Sequence, residues 1–270
     1  MAGDEIAWLR AQRAEMTGTD REPEWRRDLV DAILRRCTSE DVPGGASRAD
    51  LDEAADHAGW LLAHDCGQWS FSLVGRAHEV RWEAFGDPAD RDVAITMLSE
   101  ADDLRSENAW FSAADHAALG ELLLSRHADR GVPYDLDLAI DRLRAALDGC
   151  DDDERAALYL RYRLGTALAL RAGRRNTAGT DRRDAANLLA RALPHLPEGD
   201  PATQETALTL GRLLQGMEVD DGGAGDLDET VEWTRRVLGE HGFAILRAHS
   251  AEAVIWTVPE DPLHPSGESQ

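Results

Sequence analysis

The chain repeats itself at a period of about 45 residues, and no other feature restricts its fold so strongly. Segments that read as helix openings, DRDVAITMLSEA, DLDLAIDRLRAA, DRRDAANLLARA and DLDETVEWTRRV, begin at Asp90, Asp135, Asp181 and Asp226, at intervals of 45, 46 and 45 residues. An earlier copy, DLDEAADHAGWL, begins at Asp50, 40 residues before Asp90. A second marker keeps step with the first. Apolar–glycine pairs stand at Val74-Gly75, Leu119-Gly120, Leu164-Gly165 and Leu210-Gly211, spaced 45, 45 and 46 residues. Two markers sharing one period define an internal repeat. A unit of this length cannot enclose a core alone, so neighbouring units must stack.

Each period holds two helical patterns. The glycine-bearing segment is the first helix; FSAADHAALGELLLSRHADR places Ala114, Ala117, Ala118, Leu122 and Leu123 on one stripe. The second helix opens on the aspartate. There a carboxylate is expected to accept from free first-turn N–H groups and to face the positive end of the helix. Glu53 and Glu229, three residues after Asp50 and Asp226, approach a capping-box arrangement. Alanines recur two turns apart on the second helix, as Ala94 and Ala101, Ala139 and Ala146, and Ala185 and Ala192. Glycine on one helix and alanine on the other allow the close approach that stacked hairpins need.

At these residues the chain resembles the tetratricopeptide repeat family, whose pattern runs W-x2-L-G-x2-Y, then A-x3-F, then Ala and Pro. The Leu-Gly element matches at 119–120, 164–165 and 210–211. The A-x3-F element appears as Ala94/Leu98, Ala139/Leu143 and Ala185/Leu189, and the late proline only as Pro197. The family period of about 34 residues is exceeded here by about eleven, partly in the link between helices. Leu168 or Leu214 stands where the family has Tyr, and Leu replaces the Phe. The likeness covers residues 66–240 and is to a long-period variant common in GC-rich bacteria. It implies an all-α fold, an α-solenoid of stacked antiparallel helix hairpins. A propeller of similar period would need β-branched strands that these Ala-, Leu- and Arg-rich stretches lack. HEAT or armadillo hairpins share the period and are the rival architecture.

The ends are less regular. EPEWRRDLVDAILRRCT (22–38) reads as an amphipathic helix with Trp25, Leu29, Ile33 and Leu34 on one side, followed by a loop at 39–48. The expected division is an N-terminal helical cap or degenerate repeat at 1–48, a repeat array at 49–241, a capping helix at 242–257 and a disordered tail at 258–270.

Charge narrows the partners. The 270 residues carry 52 Asp and Glu against 29 basic residues, a formal charge of −23, and every basic residue is arginine. Such a surface repels phosphate backbones and anionic headgroups, so neither nucleic acid nor membrane is expected to bind it. No long apolar run or secretory leader is visible, and Cys37, Cys66 and Cys150 are dispersed, which predicts a reduced, cytoplasmic setting.

Catalytic and cofactor signatures are sparse. His57 and His64 lie seven residues apart with Asp56, Asp65 and Cys66 nearby, the one grouping that suggests a metal or acid–base site. The His78-Glu79 pair is followed by Trp82 where a zinc-protease helix needs a second His. Asp102 and Asp103 resemble a terpene-cyclase acidic cluster, but the second motif of that family is missing. The acidic run at 151–154 precedes a helix, where its charge suits the dipole, and Cys150 beside it is a poor nucleophile. No phosphate-binding or nucleophile-elbow motif occurs. No catalytic residue, metal or cofactor is therefore assigned.

In stacked hairpins the first helices line the concave surface, at positions six and three before the glycine and one and four after it. That register selects Trp69, Ser72, Arg76 and Glu79; Ala114, Ala117, Glu121 and Leu124; Tyr159, Tyr162, Thr166 and Ala169; and Glu205, Leu208, Arg212 and Gln215. Trp69, Arg76, Glu79, Glu121, Tyr159, Tyr162, Arg212 and Gln215 are the expected partner-binding residues; aromatic and arginine side chains are enriched in binding hot spots. The absence of lysine argues against the chaperone-type carboxylate clamp. The expected role is a non-enzymatic scaffold or adaptor for a peptide or protein segment, basic or apolar in character. The alternatives are a regulatory or sensor subunit of a separately encoded enzyme such as a caspase-like peptidase, and an all-helical enzyme built around Asp56, His57 and His64.

Overall fold

A computed structural model describes residues 2–39, 47–104, 112–150, 153–174, 179–197, 200–220, 236, 239 and 242–246. The described residues contain helices and connecting turns and no strand. The helices are α1 (Ala2–Ala11), α2 (Arg13–Met16), α3 (Glu22–Thr38), α4 (Arg48–His64), α5 (Gln68–Phe85), α6 (Pro88–Asp103), α7 (Ala113–Arg130) and α8 (Pro133–Asp148). They are followed by α9 (Glu154–Arg174), α10 (Gly179–Ala192) and α11 (Pro201–Asp220). The second helix expected to open at Asp226, the capping helix beyond residue 246 and the tail at 258–270 lie outside the described residues.

The chain divides into two compact units, Met1–Gly149 and Cys150–Gln270. In the first, α3 pairs with α4, α5 with α6 and α7 with α8, and the first helices α3, α5 and α7 pack side by side. In the second, α9 pairs with α10, and α11 packs on both. The fold is all-α, and within each unit antiparallel helix hairpins stack in the α-solenoid manner.

The two sequence markers meet inside each hairpin. A Cβ built at Gly75 would lie 2.6 Å from the Leu98 Cγ, one at Gly120 2.8 Å from the Leu143 Cγ, and one at Gly165 2.8 Å from the Leu189 Cγ. Each glycine is therefore the socket for the leucine of the A-x3-L element, and the alanines Ala94, Ala139 and Ala185 beside it are completely buried. Burial of each such leucine contributes about 1.5–3 kcal/mol, which requires the helix backbones to come this close.

The recurring aspartate does something other than cap a helix, contrary to expectation. The cap of α6 is Asp87, whose carboxylate accepts from the Ala89 N–H, and α4 and α8 begin at Ser47 and Val132 without a side-chain cap. Asp90 and Asp135 lie within the first turn and are buried, and each faces a cation from the end of the preceding helix. Arg126 makes two hydrogen bonds of 2.8 Å to Asp135, and Arg171 two of 2.7 Å to Asp181. Arg36 pairs with Asp50. In the α5–α6 hairpin His78 Nδ1 donates to Asp90 at 2.7 Å, while Arg81 stands between Asp90 (3.4 Å) and Asp52 of α4 (3.3 Å). The aspartate recurs because the folded hairpin buries a carboxylate there, and a buried carboxylate needs a cation.

The expected apolar stripe of α7 also shifts. Ala118, Leu119, Leu122 and Leu123 are buried, whereas Ala114 is exposed and Ala117 half-buried. On α3, Trp25, Leu29 and Ile33 enter the core with Ile6 and Leu9 of α1, and the Trp25 Nε1–H donates to the Leu9 carbonyl at 2.8 Å. Successive hairpins are bound by charge as well as packing: Arg91 of α6 pairs with Asp129 of α7, Arg130 of α7 with Asp92 of α6 (2.6 Å), and Arg142 of α8 with Asp102. The Asp102 carboxylate is thus part of the stacking, not a magnesium site.

Candidate functional site

Helices of one hairpin bury the stripes facing each other, which leaves each first helix one side free of its partner. In the first unit those sides of α3 and α5, closed at one end by the start of α7, form a trough of about 440 Å³. Its lining includes Asp31, Leu34, Arg35 and Thr38 from α3, Trp69, Ser72, Leu73 and Arg76 from α5, and Asp115 from α7. Trp69 is 43% exposed, and the Arg27 guanidinium lies 5.4 Å from its ring centroid. Ser72 donates to Asp115 at 2.9 Å, and Asp115 and Ser112 close a capping box at the start of α7. Trp69 and Arg76, two of the register positions, are among the lining residues of the trough.

Arg76 sits among carboxylates. Its Nε lies 2.8 Å from the Glu79 Oε2, an ion pair without hydrogen-bond alignment, and its Nη1 4.0 Å from Asp115. Glu79 is buried rather than presented at the rim. Burial pushes its carboxyl up to about 7; Arg76 opposes the shift, and Glu83, Asp115 and Glu121 add to it. Glu83 is raised too, by burial and by Glu121, and Asp31 by burial against the pull of Arg35. Glu121, on α7, is half-buried and acts on both Glu79 and Glu83.

The α3 contribution was missed by the sequence register, and a signal for it exists. Arg36, Arg81, Arg126 and Arg171, which hold the hairpin aspartates, are spaced by 45 residues each. That ladder brings α3 into register with Val30 at the glycine position, so the same rule selects Glu24, Arg27, Asp31 and Leu34. Asp31 and Leu34 line the trough and Arg27 lies over Trp69, whereas Glu24 is exposed and outside the lining.

In the second unit a cleft of about 380 Å³ runs between α9 and α11, with Arg182 of α10 at its edge. Thr166, Ala169, Glu205 and Arg212, all register positions, line it together with Leu170, Gly173, Thr209 and Leu213. Tyr159, 52% exposed, and the half-buried Tyr162 lie outside that lining. The Tyr162 phenol is raised by burial and by Glu205. The side chain of Gln215 lies outside the described residues.

The two histidines that suggested an enzyme have different surroundings. His57 is buried against Trp25, edge to face at 5.3 Å, and its Nδ1 accepts from Arg26 at 2.6 Å. Burial and the neighbouring Arg26 hold its imidazole below the ordinary range. His64 is exposed, stacks on Trp60 at 3.7 Å and donates from Nδ1 to the Trp60 carbonyl. Among the described residues no group of three or more His, Cys, Asp and Glu side chains is placed to hold a metal ion. Nor is any described helix long and apolar enough to cross a membrane.

No protein-family model matches the chain, and no curated protein matches it. Among solved structures it is similar to the crystal structure of the nearly identical TPR-like repeats of a Podosopora anserina putative kinesin light chain, at 12% identity and a TM-score of 0.43. The alignment covers 82% of this chain and 97% of that one.

Proposed function

We propose that the protein is a non-enzymatic scaffold that binds peptide or protein segments along the free sides of its first helices. The observation that carries this reading is the coincidence of register and shape. Trp69, Ser72 and Arg76 in one unit, and Thr166, Ala169, Glu205 and Arg212 in the other, all line open grooves. Grooves of this kind hold an extended or helical segment by a few aromatic and guanidinium anchors, with the surrounding contacts excluding water. Glu79 and Glu121 act on the charge of the first groove, and Tyr159 and Tyr162 extend the second binding face. The repeat array is assigned to 49–241, with 1–48 as its cap or degenerate first repeat.

The test is capture of partners from the native host by the wild type and by Trp69→Ala and Arg212→Ala. Both variants should keep their helical circular dichroism and their melting temperature while losing bound proteins. Equal capture by all three chains would overturn the reading. An enzyme among the captured proteins whose turnover changes on adding the chain would assign the regulatory form of the same function.

A further inference from the structure

The cleft of the second unit leaves apolar surface in solvent at a position that the first unit buries or uses for a hydrogen bond. Five residues after the repeat glycine, α5 has Val80, 4% exposed, and α7 has Ser125, whose hydroxyl accepts from Arg91 of α6 at 3.0 Å. At the same place α9 has Leu170, 41% exposed and part of the cleft lining. Ala172 and Leu213, both buried, continue that apolar lining, and the cleft of about 380 Å³ has room for a few aliphatic side chains.

Charge stands at fixed places along the α11 wall. Glu205 and Arg212 both line the cleft and are exposed, and among the described residues neither is held in an ion pair. Arg182 at the edge is already engaged, so the wall offers one charge of each sign. Glu205 and Arg212 are seven residues apart, about 10.5 Å along the helix axis. In an extended segment, residues on one face recur at about 6.7 and 13.4 Å, and neither spacing matches. A second helix brings its residues i and i+7 to one face at the same separation of about 10.5 Å.

We propose that this cleft seats an amphipathic helical segment of a partner protein. Its aliphatic face lies on Leu170 and Leu213, and a basic and an acidic residue two turns apart stand opposite Glu205 and Arg212. The inference rests on the groove-binding reading above and names the chemistry of the occupant of the second groove. A segment with like charges at the two places would set one of them against its own sign. On a chain of formal charge −23, long-range attraction by itself favours the most basic segment. A preference for one charge of each sign would therefore report position, not net charge.

The experiment uses the full chain and three labelled leucine–alanine helical peptides that differ only at two positions seven residues apart. These carry Glu and Arg, Glu and Glu, or Arg and Arg, and binding is followed by fluorescence anisotropy at about 0.15 M salt, where long-range attraction is screened. The wild type should bind the mixed peptide about fivefold more tightly than either of the others, the size expected when an exposed pair is exchanged for a like-charge contact. Glu205→Arg should move the preference to the Glu–Glu peptide and Arg212→Glu to the Arg–Arg peptide, gains that a misfolded variant would not show. Leu170→Gln should weaken all three peptides alike, by about fivefold. A mixed peptide with proline at its centre, which breaks the helix, should bind at least about tenfold more weakly.

The same order of the three peptides for the wild type and both charge variants would overturn the proposal, as would no binding of the mixed peptide or undiminished binding of its proline form. If Arg212→Ala still loses host partners in that event, groove binding stands and only the paired-charge helix falls. If Arg212→Ala captures them as the wild type does, both fall.

Discussion

The trough of the first unit and the cleft of the second are built on the same register and differ in the charge carried along their first helices. One residue after the repeat glycine, α5 has Arg76 and α9 has Thr166; four residues after it, α5 has Glu79 and α9 has Ala169. Eight residues after it, Glu83 corresponds to Gly173, where a built Cβ would meet nothing within 4 Å. The lining of the first groove carries Asp31, Arg35, Arg76 and Asp115, and that of the second carries Arg182, Glu205 and Arg212 beside Leu170 and Leu213. Behind both, the hairpins are nearly the same object, with a glycine socket filled by a leucine and an arginine clamped on an aspartate. The positions that stack the helices hardly vary, and those that face outward are free to diverge.

The comparison can be broken first at the shared part. Asp135→Ala removes the buried partner of Arg126 and should cost about 3 kcal/mol in urea denaturation. Asp181, whose side chain is 14% exposed against 3% for Asp135, should cost clearly less when replaced in the same way. Equal and negligible effects would mean that the ion pairs do not hold the hairpins.

Next in size is a difference that only the first unit should show. The Glu79 carboxyl lies at about 7 when folded against 4.5 as its ordinary value, so folding favours its protonated form. That contribution is fully present below pH 4.5 and is lost as the pH rises through about 7. Glu79→Gln should therefore leave stability unchanged at pH 4 and raise it at pH 8, by roughly 3 kcal/mol at most. Denaturation curves of variant and wild type that stay parallel across this range would contradict the burial assigned to the group.

A smaller effect is expected at the sockets. Gly75→Ala gains helix propensity of about 1 kcal/mol but drives a methyl into the Leu98 branch point, so the net loss should be about 1–2 kcal/mol. Gly165→Ala, with slightly more room, should lose no more. Thermal melts of the two variants test this, and a stabilised Gly75→Ala would show that the hairpin opens readily. Smallest of all, Trp69→Ala and Tyr159→Ala should change stability by under about 1 kcal/mol, since about half of each ring's surface stays in solvent.

Much of this was legible before any coordinates. The glycine and alanine markers were correctly tied to close helix approach, and the bounds of α3 are those expected for 22–38. The register also selected Trp69 and Arg76, which line the trough, and Thr166, Ala169, Glu205 and Arg212, which line the cleft. Two things are not legible, for one reason. The aspartates look like helix caps, and the glycine marker does not bring α3 to the groove. Each depends on which helix lies opposite, and helical periodicity reports only which residues share a face. An aspartate near a helix start looks the same whether it meets a free N–H or an arginine nine to fourteen residues away along a folded hairpin.

The sequence by itself determined the period, the alternation of first and second helices and the close approach of the two, because glycine, alanine and leucine at a fixed spacing permit little else. Only the tertiary structure decided which charges are buried and which face outward. Burial is a property of neighbours, and the desolvation that lifts Glu79, or that obliges Asp135 to take Arg126, exists only once separate helices have packed together.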